Sequence, residues 1–179
     1  MHRFVTLTIV VAVLGATSAA AQQTVPPASP TIGASGGVGG GIAIPIGSIA
    51  DNHAAGYTLA GLVDFSAADQ PYSFRAELIY QRYDRKAAAP AGTRDINMTS
   101  LGASLLARSA NSKGSSAFAL GGIAVYRLTG LGTRPGVNAG VGLEVPLTFF
   151  VGIADVRAHY VLTDGKPAIT IPITLGARF

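Results

Sequence analysis

The sequence contains no cysteine and no tryptophan, and it has few charged side chains. The absence of cysteine excludes disulfide scaffolds, thiolate metal sites, thiol nucleophiles and lipid attachment through an N-terminal cysteine. Charged residues make up only 12% of the chain, about half of the roughly 25% found in ordinary soluble domains. Hydrophobic residues make up 49%, and a water-exposed surface of that composition would be poorly soluble.

The formal net charge of +4 is too small and too dispersed to indicate a nucleic-acid partner. The densest group of basic residues is Arg85-Lys86 in the stretch Asp84-Arg85-Lys86, which is typical of a solvated loop. The glycine run at 36–41 lacks the spacing of a phosphate-binding loop and precedes no helical pattern. We therefore predict no nucleic-acid partner, no cofactor and no metal site.

The first 32 residues precede the folded domain. A basic start at Arg3, an apolar run over 4–14 and small residues at 19–21 predict a secretory signal peptide over 1–21. The apolar run is too short to span a bilayer as a helix. Three prolines follow closely, which favours an extended periplasmic tail over 22–32. The domain then occupies 33–179.

Beyond residue 32 the dominant pattern is alternation of apolar and polar residues, and no helical pattern stands out. The alternation recurs in eight stretches separated by glycine, proline, asparagine and aspartate, which favour turns. Eight antiparallel neighbours on short connections predict an all-β, up-and-down barrel, which leaves no sheet edge open. The predicted strands are 34–48, 56–66, 72–84, 95–108, 115–128, 136–147, 149–162 and 168–179.

The polarity of the two faces predicts a transmembrane barrel with an apolar exterior. In 72–82 one face is Tyr-Phe-Ala-Leu-Tyr and the other carries Arg75 and Glu77. The strand charges share their face with small residues that fit a narrow lumen, and the three lysines fall in connections. Aromatic residues near strand ends predict interfacial girdles. These are Tyr57, Phe65, Tyr72, Tyr83, Phe118, Tyr126, Phe149, Phe150 and Phe179.

The chain resembles the OmpA- and OmpX-like class of small outer-membrane β-barrels of Gram-negative bacteria. The resemblance rests on the signal peptide, "GGGIAIPIGS", "GYTLAGLVDF", "RAELIYQRY" and a last strand that ends on Phe179. It implies an outer-membrane location, a monomer, and contact with outer-membrane lipid and lipopolysaccharide. It also implies that the barrel-assembly machinery recognises the C-terminal strand. The residues that would form this assembly signal are Tyr160, Ile171, Ile173, Leu175 and Phe179.

An even strand number places both termini on the periplasmic side. The connections at 67–71, 109–114 and 147–148 would then be periplasmic. The other four connections would face outward, and the longest of them spans 84–95.

The inward faces predict a charge-balanced lumen with four acids and four arginines. Buried charges are unfavourable unless they are paired, and the planar guanidinium of arginine can serve more than one carboxylate. Asp64 and Arg75 are equidistant from the 67–71 turn, so they are expected to lie opposite each other. The predicted network comprises Asp64, Arg75, Glu77, Arg108, Glu144, Asp155, Arg157, His159 and Arg178.

A packed lumen predicts a structural or envelope-protective role without enzymatic activity. Three alternatives remain open: a narrow pore, a secreted soluble ligand-binding β-barrel, and a lipid-modifying hydrolase or acyltransferase. The enzyme would need a serine and a carboxylate near His159, the only strand histidine, and Thr170 is its nearest expected hydroxyl neighbour. Three strand prolines, Pro45, Pro146 and Pro172, predict bulges or rim positions.

Overall fold

The computed structural model describes residues 32–67, 70–109 and 114–179, so the predicted signal peptide lies outside the described residues. Alternating stretches form eight strands, close to the predicted bounds. The strands are β1 (Ile32–Ile46), β2 (Gly56–Ala67), β3 (Tyr72–Tyr83), β4 (Ile96–Arg108), β5 (Ser116–Leu128), β6 (Gly132–Pro146), β7 (Val151–Val161) and β8 (Ala168–Arg178). β1 begins at Ile32, so the last residue of the predicted tail belongs to the first strand.

The strands form one closed antiparallel barrel in which each strand pairs with its sequence neighbours and β1 pairs with β8. The all-β, eight-stranded up-and-down fold is therefore confirmed. Closure extends to the last residue, because the Phe179 backbone N–H donates to the Gly36 carbonyl at 2.8 Å. No helix within 32–67, 70–109 and 114–179 is long and apolar enough to cross a membrane.

The exterior of the barrel is apolar, and its lumen holds charged and polar side chains together with two apolar clusters. Ile123 and Leu175 on the outer face remain 70% and 68% exposed, and aliphatic side chains continue around the barrel. Arg75 and Asp64 in the lumen are 0% and 1% exposed. This distribution is that of a membrane-spanning barrel, and it is the reverse of a soluble carrier barrel with an apolar interior and a charged exterior.

The barrel has two unlike ends. We call the end with the three connections β2–β3, β4–β5 and β6–β7 the turn end, and the opposite one the loop end. The loop end carries a short helix, α1 (Ser48–Asn52), which the sequence analysis did not predict. At five residues, it is too short to show helical periodicity. Its buried Ile49 packs into the apolar cluster that fills the loop end of the lumen.

The first two loops at this end are joined. The His53 ring contacts the Ile49 carbonyl from within α1 and the Arg94 carbonyl from the second loop. The Lys86 ammonium donates to the Ala50 carbonyl at 2.6 Å. Together these contacts close a cap over one side of the loop end.

Two predictions were wrong, one about where β6 begins and one about which way three aromatic side chains point. β6 begins at Gly132 and not at 136, because Gly130 and Gly132 adopt positive φ angles of 82° and 72° and reverse the chain within 129–131. Three aromatic residues assigned to the interfacial girdle instead lie inside the lumen, where they are nearly inaccessible. These are Tyr83, Phe118 and Tyr126.

The strand prolines are accommodated in two ways. Pro146 is the last residue of β6, and Pro45 lies beyond the last β1–β2 pair, so both occupy rim positions as predicted. Pro172 lies in the middle of β8 without a bulge. The β7–β8 ladder keeps its register across it but omits the pairs of Pro172 with Arg157 and of Ile171 with Ala158. The missing backbone N–H of Pro172 therefore interrupts the β7–β8 hydrogen bonds locally without shifting the register of the two strands.

Candidate functional site

The turn end of the lumen is closed by five charged side chains, which we call the turn-end cluster. They are Asp64, Arg75, Arg108, Glu144 and Arg178. Each of the five occupies a lumen-facing position of its strand. They come from five strands: β2, β3, β4, β6 and β8. The prediction that Asp64 faces Arg75 is confirmed, since the two are direct partners in the β2–β3 register.

Asp64 is the centre of this cluster. Its Oδ1 accepts from Arg75 Nε at 2.6 Å and its Oδ2 accepts from Arg75 Nη2 at 2.9 Å, a bidentate pairing. Oδ2 also accepts from Arg178 Nη1 at 2.7 Å and from Arg108 Nη2 at 3.2 Å. One buried carboxylate therefore receives hydrogen bonds from three arginines on three different strands.

Glu144 is the second carboxylate of the turn-end cluster. Its Oε2 accepts from Arg108 Nε at 2.9 Å and from Arg178 Nη2 at 3.2 Å. Its Oε1 lies 3.8 Å from Arg75 Nη2, and Arg108 also donates to the Ser73 hydroxyl. The Arg75 guanidinium lies 5.5 Å from the centre of the Phe118 ring, a distance suited to a cation–π contact.

A second charged group lies nearer the middle of the barrel, and we call it the mid-lumen cluster. Arg157 donates to Glu77 and, at 3.2 Å, to Asp155 Oδ2. All three side chains are buried. The turn-end cluster has three arginines and two acids, whereas the mid-lumen cluster has one arginine and two acids. The equal numbers of acids and arginines are therefore reached only when the two clusters are counted together.

The predicted lumen histidine belongs to neither charged cluster. The Tyr126 hydroxyl and His159 Nδ1 lie 2.8 Å apart, and the two rings meet edge to face. His159 pairs with Thr170 across the β7–β8 hairpin. The nearby Gln81 Oε1 accepts from the Thr170 hydroxyl at 3.1 Å and from the Tyr83 hydroxyl.

This arrangement does not assemble a hydrolytic triad. His159 contacts a tyrosine hydroxyl, and no carboxylate of the described residues forms an ion pair with it. Asp155, two positions from Arg157 on the same face, is held by that arginine instead. In a hydrolytic triad, a histidine activates the serine or threonine nucleophile, and a third group orients the histidine. Among the described residues, no such third group orients His159.

Inward glycines make room for the large lumen side chains. A methyl group on Gly142 would lie 2.3 Å from the Phe118 ring and 2.6 Å from the Ala154 carbonyl oxygen. A methyl group on Gly140 would lie 3.0 Å from the Arg157 side chain. The cavity beside Glu77, Asp155 and Thr58 measures about 20 Å³, close to the space of one water molecule, so this part of the lumen is nearly filled.

The residues of the predicted assembly signal lie together on the outside of the barrel near its closing seam. Leu175 and Phe179 are strongly exposed, and Tyr160 and Ile173 are partly so. Ile171 points outward between buried lumen residues of β8. The Phe179 ring lies 6.1 Å from Phe150 of the β6–β7 turn, centre to centre.

Comparison with solved structures places this architecture among known barrels. Neisserial surface protein A superposes with a TM-score of 0.61 at 16% identity, and the match covers 83% of this chain and 97% of that protein. This chain has the fold of the small outer-membrane β-barrels. At identities this low, the likeness establishes the fold.

Two further barrels are similar at lower scores. The N-terminal barrel domain of Pseudomonas aeruginosa OprF matches with a TM-score of 0.49 at 18% identity, covering 81% of this chain and 97% of that domain. Ail of Yersinia pestis matches with a TM-score of 0.47 at 12% identity, covering 82% and 99%. No protein-family model and no curated protein matches the chain.

Sequence reasoning missed the aromatic and amide components of the lumen. β5 is apolar on both faces, so alternation alone does not say whether Phe118 and Tyr126 point inward. The sequence did contain one signal for the inward orientation of these aromatic rings. Glycines occupy inward positions of the neighbouring strand β6 and leave room for the rings. Phe118 pairs directly with Gly142, and the Tyr126 ring lies over Gly136.

Proposed function

We propose that this chain is an integral outer-membrane protein of a Gram-negative bacterium with a structural or envelope-protective role and without enzymatic activity. One observation carries the proposal: an apolar exterior surrounds a lumen closed by interlocked ion pairs. A polar lumen that is fully occupied holds the eight strands together without offering a passage or a reaction site.

In the proposed orientation the turn end faces the periplasm and the loop end faces outward. An even strand number then puts both barrel termini on the periplasmic side. The loop end would contact lipopolysaccharide in the outer leaflet, and the exposed C-terminal strand would be available to the assembly machinery before closure. The protein is proposed to act as a monomer.

The location is tested by membrane fractionation followed by electrophoresis with and without boiling. We expect the chain in the outer-membrane fraction and a folded band that shifts only after boiling, because a closed ladder resists detergent at room temperature. Recovery of the chain in the soluble periplasmic fraction would contradict the proposal.

The closed lumen is tested by planar-bilayer recording of the refolded full chain. We expect no steady single-channel steps, since ion pairs occupy the turn end and only about 20 Å³ is free beside the mid-lumen cluster. A porin of sixteen strands reconstituted in the same bilayer is the positive control. Steady conductance steps that scale with salt would favour the narrow pore.

The enzyme alternative is tested with His159→Ala. The purified wild type should release no acyl chains from lipid vesicles above the rate of the variant, because His159 contacts Tyr126 and no carboxylate orients it. Lipase or acyltransferase activity that disappears in a folded His159→Ala variant would overturn the non-enzymatic role.

A further inference from the structure

Two concave surfaces adjoin on the outer face of β4, β5 and β6. The first, which we call the groove, has a volume of about 660 Å³ and an almost wholly apolar lining. The second, which we call the cleft, has a volume of about 390 Å³ and lies at the loop-end rim. Groove residues include Leu101, Ala103, Ile123 and Val125; cleft residues include Asn97, Thr99, Arg127 and Thr129.

The strand register makes the groove and the cleft continuous. Thr99 pairs with Arg127, and Leu101 pairs with Val125, one outward position nearer the centre of the barrel. Successive outward residues of a strand are about 7 Å apart. A linear molecule in the groove would therefore reach the cleft with its end within one side-chain length of Arg127.

Arg127 is the unusual member of this surface. It is exposed on the outer face between the buried Tyr126 and Leu128. No carboxylate within 32–67, 70–109 and 114–179 lies within 4.0 Å of its guanidinium. Two other arginines of the loop end are paired: Arg82 with Asp84 and Asp95, and Arg134 with Asp164.

The outer-face tyrosines near this sector lie on neighbouring strands, and the Tyr80 hydroxyl of β3 donates to Asn97 Oδ1 at the edge of the cleft at 2.9 Å. Tyr57 and Tyr80 pack together on β2 and β3, with ring centres 6.0 Å apart. The outward loop-end residues of β4 to β6 that the structure describes are instead Asn97, Thr99, Arg127, Thr133 and Pro135. At the membrane interface, β2 and β3 present tyrosine rings, whereas β4 to β6 present the Arg127 guanidinium and threonine hydroxyls.

From this arrangement we infer that the groove and the cleft form one site for a phosphate-bearing lipid of the outer leaflet, with an acyl chain in the groove and the phosphate at Arg127. The inference rests on the proposed orientation, in which the loop end lies at the outer leaflet. Charge complementarity selects the anionic headgroup, because Arg127 offers a planar set of donors and no carboxylate of the described residues competes for them. The apolar lining selects an acyl chain over a free sugar phosphate.

The test measures binding of lipid A to the folded full chain in detergent micelles by native mass spectrometry. The comparison probe is the same lipid with its phosphates removed, which keeps the acyl chains. We expect wild type to bind the phosphorylated lipid about tenfold more tightly, and Arg127→Gln to lose that preference. The matched control is Arg94→Gln, which removes the same charge from an exposed position of the second loop.

The groove is tested separately by filling it. Ala103→Leu occupies the groove and should weaken binding of both lipid forms by a similar factor. Ala119→Leu makes the same change in a second apolar groove on β4 to β8 and should leave binding unchanged. Inorganic phosphate at the same concentration should not compete, because it cannot use the groove.

Folding of every variant is checked by the boiling-dependent band shift. A further variant, Arg127→Lys, keeps a positive charge at the position where Arg127→Gln removes it. The inference is overturned if Arg127→Gln retains the phosphate preference, if Arg94→Gln loses it equally, or if inorganic phosphate displaces the lipid. Failure of the chain to fold into membranes would instead contradict the proposed function. The two failures are therefore distinguishable.

Discussion

Asp64 accepts hydrogen bonds from more arginines than any other carboxylate described in the lumen. Its removal therefore affects three cations at once, the buried Arg75 and the half-buried Arg108 and Arg178. Glu144 contacts the same three arginines, but at 3.8 Å for Arg75. Loss of Asp64 therefore leaves Glu144 as the only carboxylate within 4.0 Å of these arginines among the described residues.

We predict that Asp64→Asn lowers the free energy of unfolding by about 3–5 kcal/mol, because it leaves buried cations uncompensated. The measurement is urea-induced unfolding of the barrel in lipid vesicles. Adding Arg178→Gln should recover part of the loss by restoring the balance of charge.

The matched control is Asp84→Asn, which removes a carboxylate from an exposed pair with Arg82. Exposed pairs contribute about 0–1 kcal/mol, so this change should be small. Equal destabilisation by the two variants would mean that the turn-end cluster does not stabilise the fold.

β8 shows how one residue changes an element. The Phe179 N–H points to β1, and the backbone donors of a strand alternate sides, so even-numbered residues of β8 present their donors to β7. Pro172 is one of these residues and has no N–H. The ladder gap at Arg157 and Ala158 follows from this missing donor.

We predict that Pro172→Ala raises the free energy of unfolding by about 1 kcal/mol, the net value of one intramolecular hydrogen bond. The β7–β8 amides should also exchange with deuterium more slowly. Pro146→Ala, at the end of β6, is the control and should change neither quantity. A loss of stability in Pro172→Ala would indicate that packing of the proline ring in the lumen outweighs the missing bond.

The second loop, 84–95, has a pH-sensitive anchor. A hydrogen bond from the backbone N–H of Arg85, together with the Arg82 guanidinium, holds the pKa of the Asp95 carboxyl below its ordinary value of 3.8. A carboxyl group with a lowered folded-state pKa contributes stability above its unfolded-state pKa and loses it as pH falls through the folded-state pKa. The anchor should therefore be intact at neutral pH and released only in strong acid.

We predict that cleavage of this loop by an acid-active protease increases as pH falls through the lowered pKa of Asp95. Asp95→Asn should abolish most of that pH dependence by releasing the anchor at every pH. Cleavage of Asp51→Asn, at an exposed position of α1, should keep the wild-type profile. An unchanged profile in Asp95→Asn would contradict the assignment.

At the scale of the whole molecule, the lumen is filled in layers. The turn-end cluster closes one end, and an apolar layer of Leu106, Phe118, Leu120 and Ile153 packs in the lumen as well. The mid-lumen cluster and the polar contacts of His159 and Gln81 occupy further levels, and Ile49 joins the apolar layer at the loop end. Such a filled barrel is closed by its own side chains.

The proposed assembly signal ends on Phe179, so it can be tested through this residue. We predict that Phe179→Ala lowers the amount of folded barrel in the outer membrane of cells several-fold, while refolding in detergent keeps nearly the wild-type yield. The proposed reason is that the assembly machinery reads the terminal aromatic, whereas the backbone bond to Gly36 survives the substitution.

Phe149→Ala is the matched control, since Phe149 is 87% exposed at the same end of the barrel. It should leave both quantities unchanged. Equal loss in cells and in detergent would indicate that Phe179 acts only through packing against Phe150.

Prediction from sequence succeeded where the two faces of a strand differ. In β3, polar and apolar residues alternate without exception from Tyr72 to Arg75, and the predicted faces agree with the observed burial. In β5 both faces are apolar, and only the register against Gly142 turns Phe118 inward. Turn bounds failed at Gly132 because glycine favours turns but does not say where a strand resumes.

The sequence by itself determined the eight strands, the closed order and the inward charges, because period-two alternation and turn residues act locally. The tertiary structure decided how those charges divide. Residues far apart in sequence, such as Asp64 and Arg178, meet only when β1 pairs with β8 and the barrel closes. It also decided that Arg127 lies beside an apolar groove with no carboxylate of the described residues within 4.0 Å, because that surface exists only after three strands are in register.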